Sequence, residues 1–215
     1  TIPKGRANVA DPILSPTSPL ARALTPGDFG ALGPDGPGPD GPGVVFRDRR
    51  DLSLVTISVR PEKQAAARTA LEAAGLALPD IGTAAQTASA ASGDAWVIWS
   101  ALDRWTAVAP RDPGELHKTL ADALGDTAAL VDQSSGLCAI EIGGPKVDAL
   151  LAKGTPIDLH AFTPGRTAAT GIDHQPVTLW RTEADRVLLL VGRSFAQDTL
   201  EFLQEMALEF GYRNG

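Results

Sequence analysis

Val187-Leu188-Leu189-Leu190-Val191-Gly192-Arg193-Ser194-Phe195-Ala196, continued by Gln197-Asp198-Thr199-Leu200-Glu201-Phe202-Leu203, is the stretch whose reading decides the fold. The apolar run reads as a short buried strand, and the amphipathic stretch after it keeps helical spacing as far as Phe210. A strand therefore hands over to a terminal helix, with Ser194 placed to cap its first turn. Phe195, Leu200, Leu203 and Ala207 are expected to pack that helix onto a sheet. Arg193 is expected to brace a nearby carboxylate or carbonyl. This defines a fold fragment and no chemistry.

Further upstream the same alternation of elements recurs. Leu52 to Arg60 alternates apolar and polar residues with many β-branched side chains, as a half-buried strand does. Pro61 then opens a helix that Gly75 stops. Ala95–Ser100 and Trp105–Ala109 read as a hairpin around Ala101-Leu102-Asp103-Arg104, after a small polar loop over 85–93. Asp112-Pro113-Gly114-Glu115 carries a capping-box pattern, opening a helix whose Leu116, Leu120 and Leu124 share one side. Ala128–Asp132 and Leu137–Ile142 read as strands paired around Gln133-Ser134-Ser135-Gly136. A short helix over Pro145–Leu151, strands near Ala168–Ile172, Val177–Arg181 and Arg186–Val191, and the terminal helix complete the order. Single helices between adjacent antiparallel strands argue for an α+β fold of mixed or antiparallel sheets with packed helices, and against a doubly wound parallel sheet.

Residues 1–50 are expected to form an extended or flexible Pro/Gly-rich arm. Gly33 to Gly43 has almost no side chain to bury, and Ile13-Leu14 and Leu20 to Leu24 stand as apolar anchors that lie either across a partner's surface or on this chain's own domain. Residues 51–215 are expected to form the folded domain. Its two helix-bearing halves, about 51–127 and 128–215, either share one core or form two similar lobes. No internal repeat decides between these.

The 215 residues include 43% hydrophobic and 21% charged residues, a composition compatible with a globular core. With 19 Lys and Arg against 26 Asp and Glu, the formal charge is -7, which argues against a phosphate-backbone partner. A single cysteine, Cys138, excludes an intramolecular disulfide and suits a reducing compartment. No apolar run approaches the roughly 20 residues of a membrane helix. Thr1–Ala10 lacks the apolar segment of a secretory signal.

Catalytic patterns are scarce. His117, His160 and His174 form no helical pair, and a zinc site of His160, His174 and a carboxylate lacks any supporting ligand motif. Ser134 and Ser135 lie outside a nucleophile elbow. Gly143-Gly144-Pro145-Lys146 is too short for a P-loop and reads as a tight strand-to-helix turn. Trp96 and Trp99, three apart on one strand, point to opposite faces. Either a thick layered core covers both, or one faces a partner. Trp105 and Trp180 complete the set.

Residues 130–210 resemble the gamma subunit of heterotetrameric sarcosine oxidase. The resemblance rests on Asp132-Gln133-Ser134 before a strand and on Gly144-Pro145 opening a helix that ends Leu150-Leu151-Ala152-Lys153-Gly154. Pro156-Ile157-Asp158-Leu159, Phe162-Thr163-Pro164-Gly165, a strand-opening Thr170 and Arg193-Ser194-Phe195-Ala196 follow in order. It implies a fold like the folate-binding domain of the glycine-cleavage aminomethyltransferases. It also implies a non-catalytic place, mainly against a large alpha subunit, in a complex with beta and delta subunits that oxidises the N-methyl group of a secondary amine. FAD, FMN, NAD, tetrahydrofolate and zinc then belong to the other subunits, and the complex to the cytoplasm. No catalytic, cofactor-binding or metal-binding residue carries over to this chain. Asp103 and Asp158 are available carboxylates, of which Asp158 is expected to brace a turn. A stand-alone folate-dependent one-carbon transferase and an unrelated protein-interaction domain are the competing readings.

Overall fold

The computed structural model describes residues 17–31, 41–86, 95–110 and 114–215. Ile13-Leu14, most of the Gly/Pro run, the greater part of the 85–93 loop and the Asp112-Pro113 cap lie outside the described residues.

Two sheets dominate. β1 (Gly27–Phe29) and β2 (Val44–Asp48) belong to the first sheet, and β3 (Leu52–Ser58) opens the second. A 3-10 turn begun by Pro61 leads into α1 (Gln64–Ala73), followed by β4 (Ala84–Gln86), β5 (Trp96–Ala101), β6 (Arg104–Pro110) and α2 (Glu115–Leu124). Then come β7 (Ala129–Asp132), β8 (Leu137–Gly143), α3 (Val147–Leu151), β9 (Thr167–Ile172), β10 (Gln175–Glu183) and β11 (Arg186–Gly192). α4 (Ala196–Ala207) and β12 (Tyr212–Asn214) close the chain. The seven-stranded sheet has the order β1-β12-β2-β8-β11-β10-β9, and the five-stranded sheet β4-β5-β6-β3-β7. Every pairing between these strands is antiparallel except β12 with β2.

The apolar run that decides the fold is β11, and both of its faces are buried. Val187, Leu189 and Val191 pack with Ala196, Leu200, Leu203 and Ala207 of α4, while Leu188 and Leu190 face the other sheet. That two-sided burial is why the run shows no polar alternation. β3 divides similarly: Leu54 joins the intersheet layer, and Val55 and Ile57, with Val59 just past the strand's end, pack against α1 and α2. Leu116, Leu120 and Leu124 are the buried stripe of α2, as their spacing predicts. The result is four layers, helices outside and sheets inside.

Several expectations need correction. β7 and β8 do not pair with each other: β7 joins β3 in the five-stranded sheet, and β8 lies between β2 and β11 in the seven-stranded one. The Gln133–Gly136 turn is therefore a crossing between sheets. It is held by Leu54 N–H donating to Ser134 Oγ at 3.0 Å and by Ser134 N–H donating to Asp132 Oδ1 at 2.9 Å. Strand alternation gives the buried face of a strand but not its neighbour.

The arm expected over 1–50 also differs within its described part. Leu20 is fully buried in the core beneath α4, and β1 and β2 are integral strands. β12, which follows the terminal helix, makes β1 possible by pairing with it. Gly30, at φ 84°, passes so close to Leu208 that a Cβ would sit 2.4 Å from its carbonyl oxygen.

Ser194 caps nothing. A 3-10 turn over Arg193–Phe195 precedes α4, whose N-cap position is Phe195 with no side-chain cap bond. Phe195 itself is 43% exposed and packs over Gly192 rather than into the core. Arg193 does brace a carbonyl: its Nη2 donates to Thr17 O at 2.7 Å.

Candidate functional site

A cluster of charged side chains lies beside aromatic surface at one end of the intersheet layer. Strand register sets it up: Arg47, Glu141, Leu188 and Trp180 occupy one row across β2, β8, β11 and β10. Trp96, Val108 and Leu54 form the facing row across β5, β6 and β3. Between the rows is a cleft of about 410 Å³. Trp96 and Trp180 touch across it, with ring centroids 4.9 Å apart.

Glu141 is 9% exposed, in a position where an unpaired carboxylate would be costly. It accepts hydrogen bonds from Arg47 Nη1 at 3.0 Å and Arg49 Nη1 at 2.8 Å, and Arg186 Nε lies 3.9 Å away. Arg49 turns its other nitrogens to Asp51, at 2.8 and 2.7 Å. That contact holds the guanidinium charged to higher pH than usual and holds the Asp51 carboxyl below the usual range. Arg186 also pairs with Glu183 at 3.1 Å. Charges on the cleft wall thus balance, and the carboxylate best placed to act as a base is already occupied by guanidinium donors. Chemically this is a brace joining β2, β8 and β11. The indole N–H of Trp180 has no acceptor among the described residues.

A second buried charge, this one a cation, supports the opposite face of the same sheet. Arg181, 2% exposed, donates through Nε to Phe162 O at 3.1 Å and through Nη1 to Ala184 O at 3.0 Å, and its Nη2 pairs with Asp148 on α3. Glu141 is the lone charge of an otherwise apolar strand, which is a signal legible in the sequence, whereas Arg181 lies beside Thr182 and Glu183 in β10, where nothing local announces its burial.

The residues singled out from sequence do not converge. Asp158 Oδ1 accepts from the backbone N–H of His160 at 3.0 Å, bracing its turn. Asp103 accepts from Gln64 Nε2 at 2.7 Å at the tip of the β5–β6 hairpin. His174 is exposed and 3.5 Å from its neighbour Asp173. Ser134 is engaged with Leu54, and Cys138 is a free, buried thiol. Gly144 has φ 115° and sits against Gly43 O, where a Cβ would approach to 2.6 Å, so the Gly-Gly-Pro turn is a close backbone crossing. Among the described residues no group of three or more His, Cys, Asp or Glu side chains could hold a metal ion. None of their helices is long and apolar enough to cross a membrane. Trp96 and Trp99 do take opposite faces, and each is half-buried: Trp96 against the other sheet, Trp99 against the helical layer.

The paired sheets with outer helices are those of an aminomethyltransferase-like α+β fold. The chain superposes on glycine cleavage system aminomethyltransferase T from Bartonella henselae with a TM-score of 0.59, at 15% identity, over 88% of this chain and 58% of that one. Residues 61–209 match the sarcosine oxidase, gamma subunit family, and the chain belongs to that family. It is 33% identical over 165 residues to the sarcosine oxidase subunit gamma of Arthrobacter sp, covering 75% of this chain and 80% of the relative. The corresponding subunit of Corynebacterium sp. (strain P-1) is 35% identical over 143 residues, covering 65% and 68%. A chain of heterotetrameric sarcosine oxidase from Corynebacterium sp. U-96, solved in complex with pyrrole 2-carboxylate, superposes with a TM-score of 0.72. That match is 26% identical and covers 91% of this chain and 96% of that one.

Proposed function

We propose that this chain is a structural subunit, without catalytic groups of its own, of a heterotetrameric flavin-dependent complex that oxidises the N-methyl group of sarcosine or a related secondary amine. The observation that carries the reading is one of coverage. Family membership spans residues 61–209, and the likeness to a heterotetrameric sarcosine oxidase chain spans 91% of the sequence. The engagement of Glu141 and Arg181 in bracing contacts supports a scaffold role. In this reading the chain packs mainly on the large alpha subunit, with beta and delta in the same cytoplasmic assembly. FAD, FMN, NAD, tetrahydrofolate and zinc reside in those partners.

Co-expression of all four subunits with a tag on this chain tests the reading. The expected result is a single assembly with flavin absorbance that retains this chain through size exclusion. Elution of this chain alone overturns it. Saturable tetrahydrofolate binding by the isolated chain would instead favour a one-carbon transferase.

A further inference from the structure

We propose that the tip of the β5–β6 hairpin, with the two grooves beside it, is the surface through which this chain docks on a larger subunit, and that it receives an extended acidic segment anchored by an apolar side chain. The inference rests on the subunit reading above and adds the face and the chemistry of its partner.

Leu102 at the hairpin tip is 77% exposed and Ile81 is 67% exposed, the two most exposed large apolar side chains among the described residues. Both line one groove of about 390 Å³, and Leu102 also borders a second of about 530 Å³. An apolar pair standing on a groove rim is the arrangement of an anchor site rather than of scattered surface residues.

The tip is held rigidly. Asp103 takes a left-handed conformation at φ 55°, its side chain accepts from Gln64 Nε2 at 2.7 Å, and its carbonyl accepts from Val59 N–H at 3.0 Å. A surface fixed in this way loses little entropy on association.

Charge selects the partner. Lys63 and Arg68 are neutralised by Asp126 and Asp80, at 2.9 and 3.3 Å. Arg60 and Arg104, both exposed on the larger groove, have no carboxylate partner among the described residues. The grooves also hold one carboxylate without a cation, Asp103, which is bonded to Gln64, so together they carry an excess of one positive charge that favours a carboxylate opposite it.

The test uses the full chain co-expressed with the other three subunits. Leu102→Asp and the pair Arg60→Glu with Arg104→Glu are each expected to weaken assembly at least tenfold while leaving the melting temperature of the isolated chain unchanged. Phe195→Asp, an exposed apolar position elsewhere, is expected to assemble as wild type. A photocrosslinker at position 102 should label a partner peptide rich in Asp and Glu. Assembly of Leu102→Asp within twofold of wild type overturns the proposal, as do equal loss in Phe195→Asp and crosslinking to a second copy of this chain or to a peptide without acidic residues. Failure of the wild-type chain to assemble at all overturns the subunit reading and this face with it.

Discussion

The indole rings of Trp96 and Trp180 meet between the two sheets, 4.9 Å apart and inclined by 51°, so that one aromatic side chain from each sheet closes the same layer. Around them Leu54, Ile98, Val108, Leu188 and Leu190 complete a buried cluster that belongs to neither sheet alone. The contact therefore couples the stability of the two sheets.

Replacing Trp180 by alanine is expected to cost about 3–5 kcal/mol, the usual scale for a buried aromatic, and replacing the half-buried Trp96 is expected to cost less. The double-mutant cycle should show a coupling of about 1 kcal/mol beyond the lost burial. Urea unfolding of the wild type, both single variants and the double variant measures this. Strict additivity would mean that the sheets are packed but not coupled through these rings.

The entry to α4 gives a second prediction. Ser194 is exposed and makes no cap bond, so Ser194→Ala should change stability by no more than about 0.5 kcal/mol. Leu200, fully buried, should cost about 2–5 kcal/mol on truncation to alanine. Phe195→Ala should fall near the smaller value, since the ring lies outside the core. Thermal unfolding of the three variants at one pH separates them, and a cost for Ser194→Ala near that of Leu200→Ala would contradict the observed turn.

These two cases show what the sequence carries. The strand-to-helix handover was legible because burial periodicity is local: Leu200, Leu203 and Ala207 fall where an amphipathic helix needs them. The cap was not, because a 3-10 turn and a capped first turn use the same residues. The partner of β7 was equally hidden, since Leu130 and Val131 suit an outer strand of either sheet. Leu20, Ala23 and Leu24 form a patch too short to show which surface it meets, and only the closed fold supplies the rest of its core. The bracing role of Glu141 depends on Arg47 and Arg49, residues far away in sequence whose approach is set by the pairing of β2 with β8.

Asp28 on β1 makes two bonds with Arg213 of β12, at 2.6 and 2.9 Å, and the guanidinium holds its carboxyl below its ordinary value of 3.8. A depressed folded pKa means that the contribution is fully present above the unfolded pKa and is lost as pH falls through the folded one. Asp28→Asn should therefore be less stable than wild type at neutral pH, and the gap should close under strongly acid conditions. Carbon-detected titration of the Asp28 carboxyl checks the direction. A midpoint above 3.8 would contradict it.

Cys138 is buried, and burial pushes its thiol pKa up. The thiolate is the reactive form, so the native chain should react slowly with a disulfide reagent at mildly alkaline pH and rapidly once unfolded. Stopped-time labelling with and without denaturant gives the ratio. Equal rates in both states would mean that the strand around Cys138 opens freely.

The segment 17–31 decides whether the amino-terminal region belongs to this domain or waits for a partner. Gln204 of α4 donates through Nε2 to Ala23 O at 2.9 Å and to Asn214 Oδ1 at 3.1 Å, and Asn214 Nδ2 donates to Thr25 O at 3.0 Å. Substituting Asn214 with alanine would remove the acceptor of one buried Gln204 N–H and the donor to Thr25 O, at a cost of about 1–3 kcal/mol. Leu20→Ala removes a fully buried side chain and should cost about 2–5 kcal/mol. Both losses are expected in the isolated chain, because every contact that produces them lies within it. An arm ordered only by a neighbouring subunit would behave otherwise, leaving the isolated chain's melting unchanged and moving only that of the assembly. Denaturant unfolding of Leu20→Ala and Asn214→Ala, with hydrogen exchange across β1, distinguishes the two. Protected β1 amides in the wild type that become fast in both variants would place residues 17–31 inside the cooperative core, and fast exchange in the isolated wild type would remove them from it.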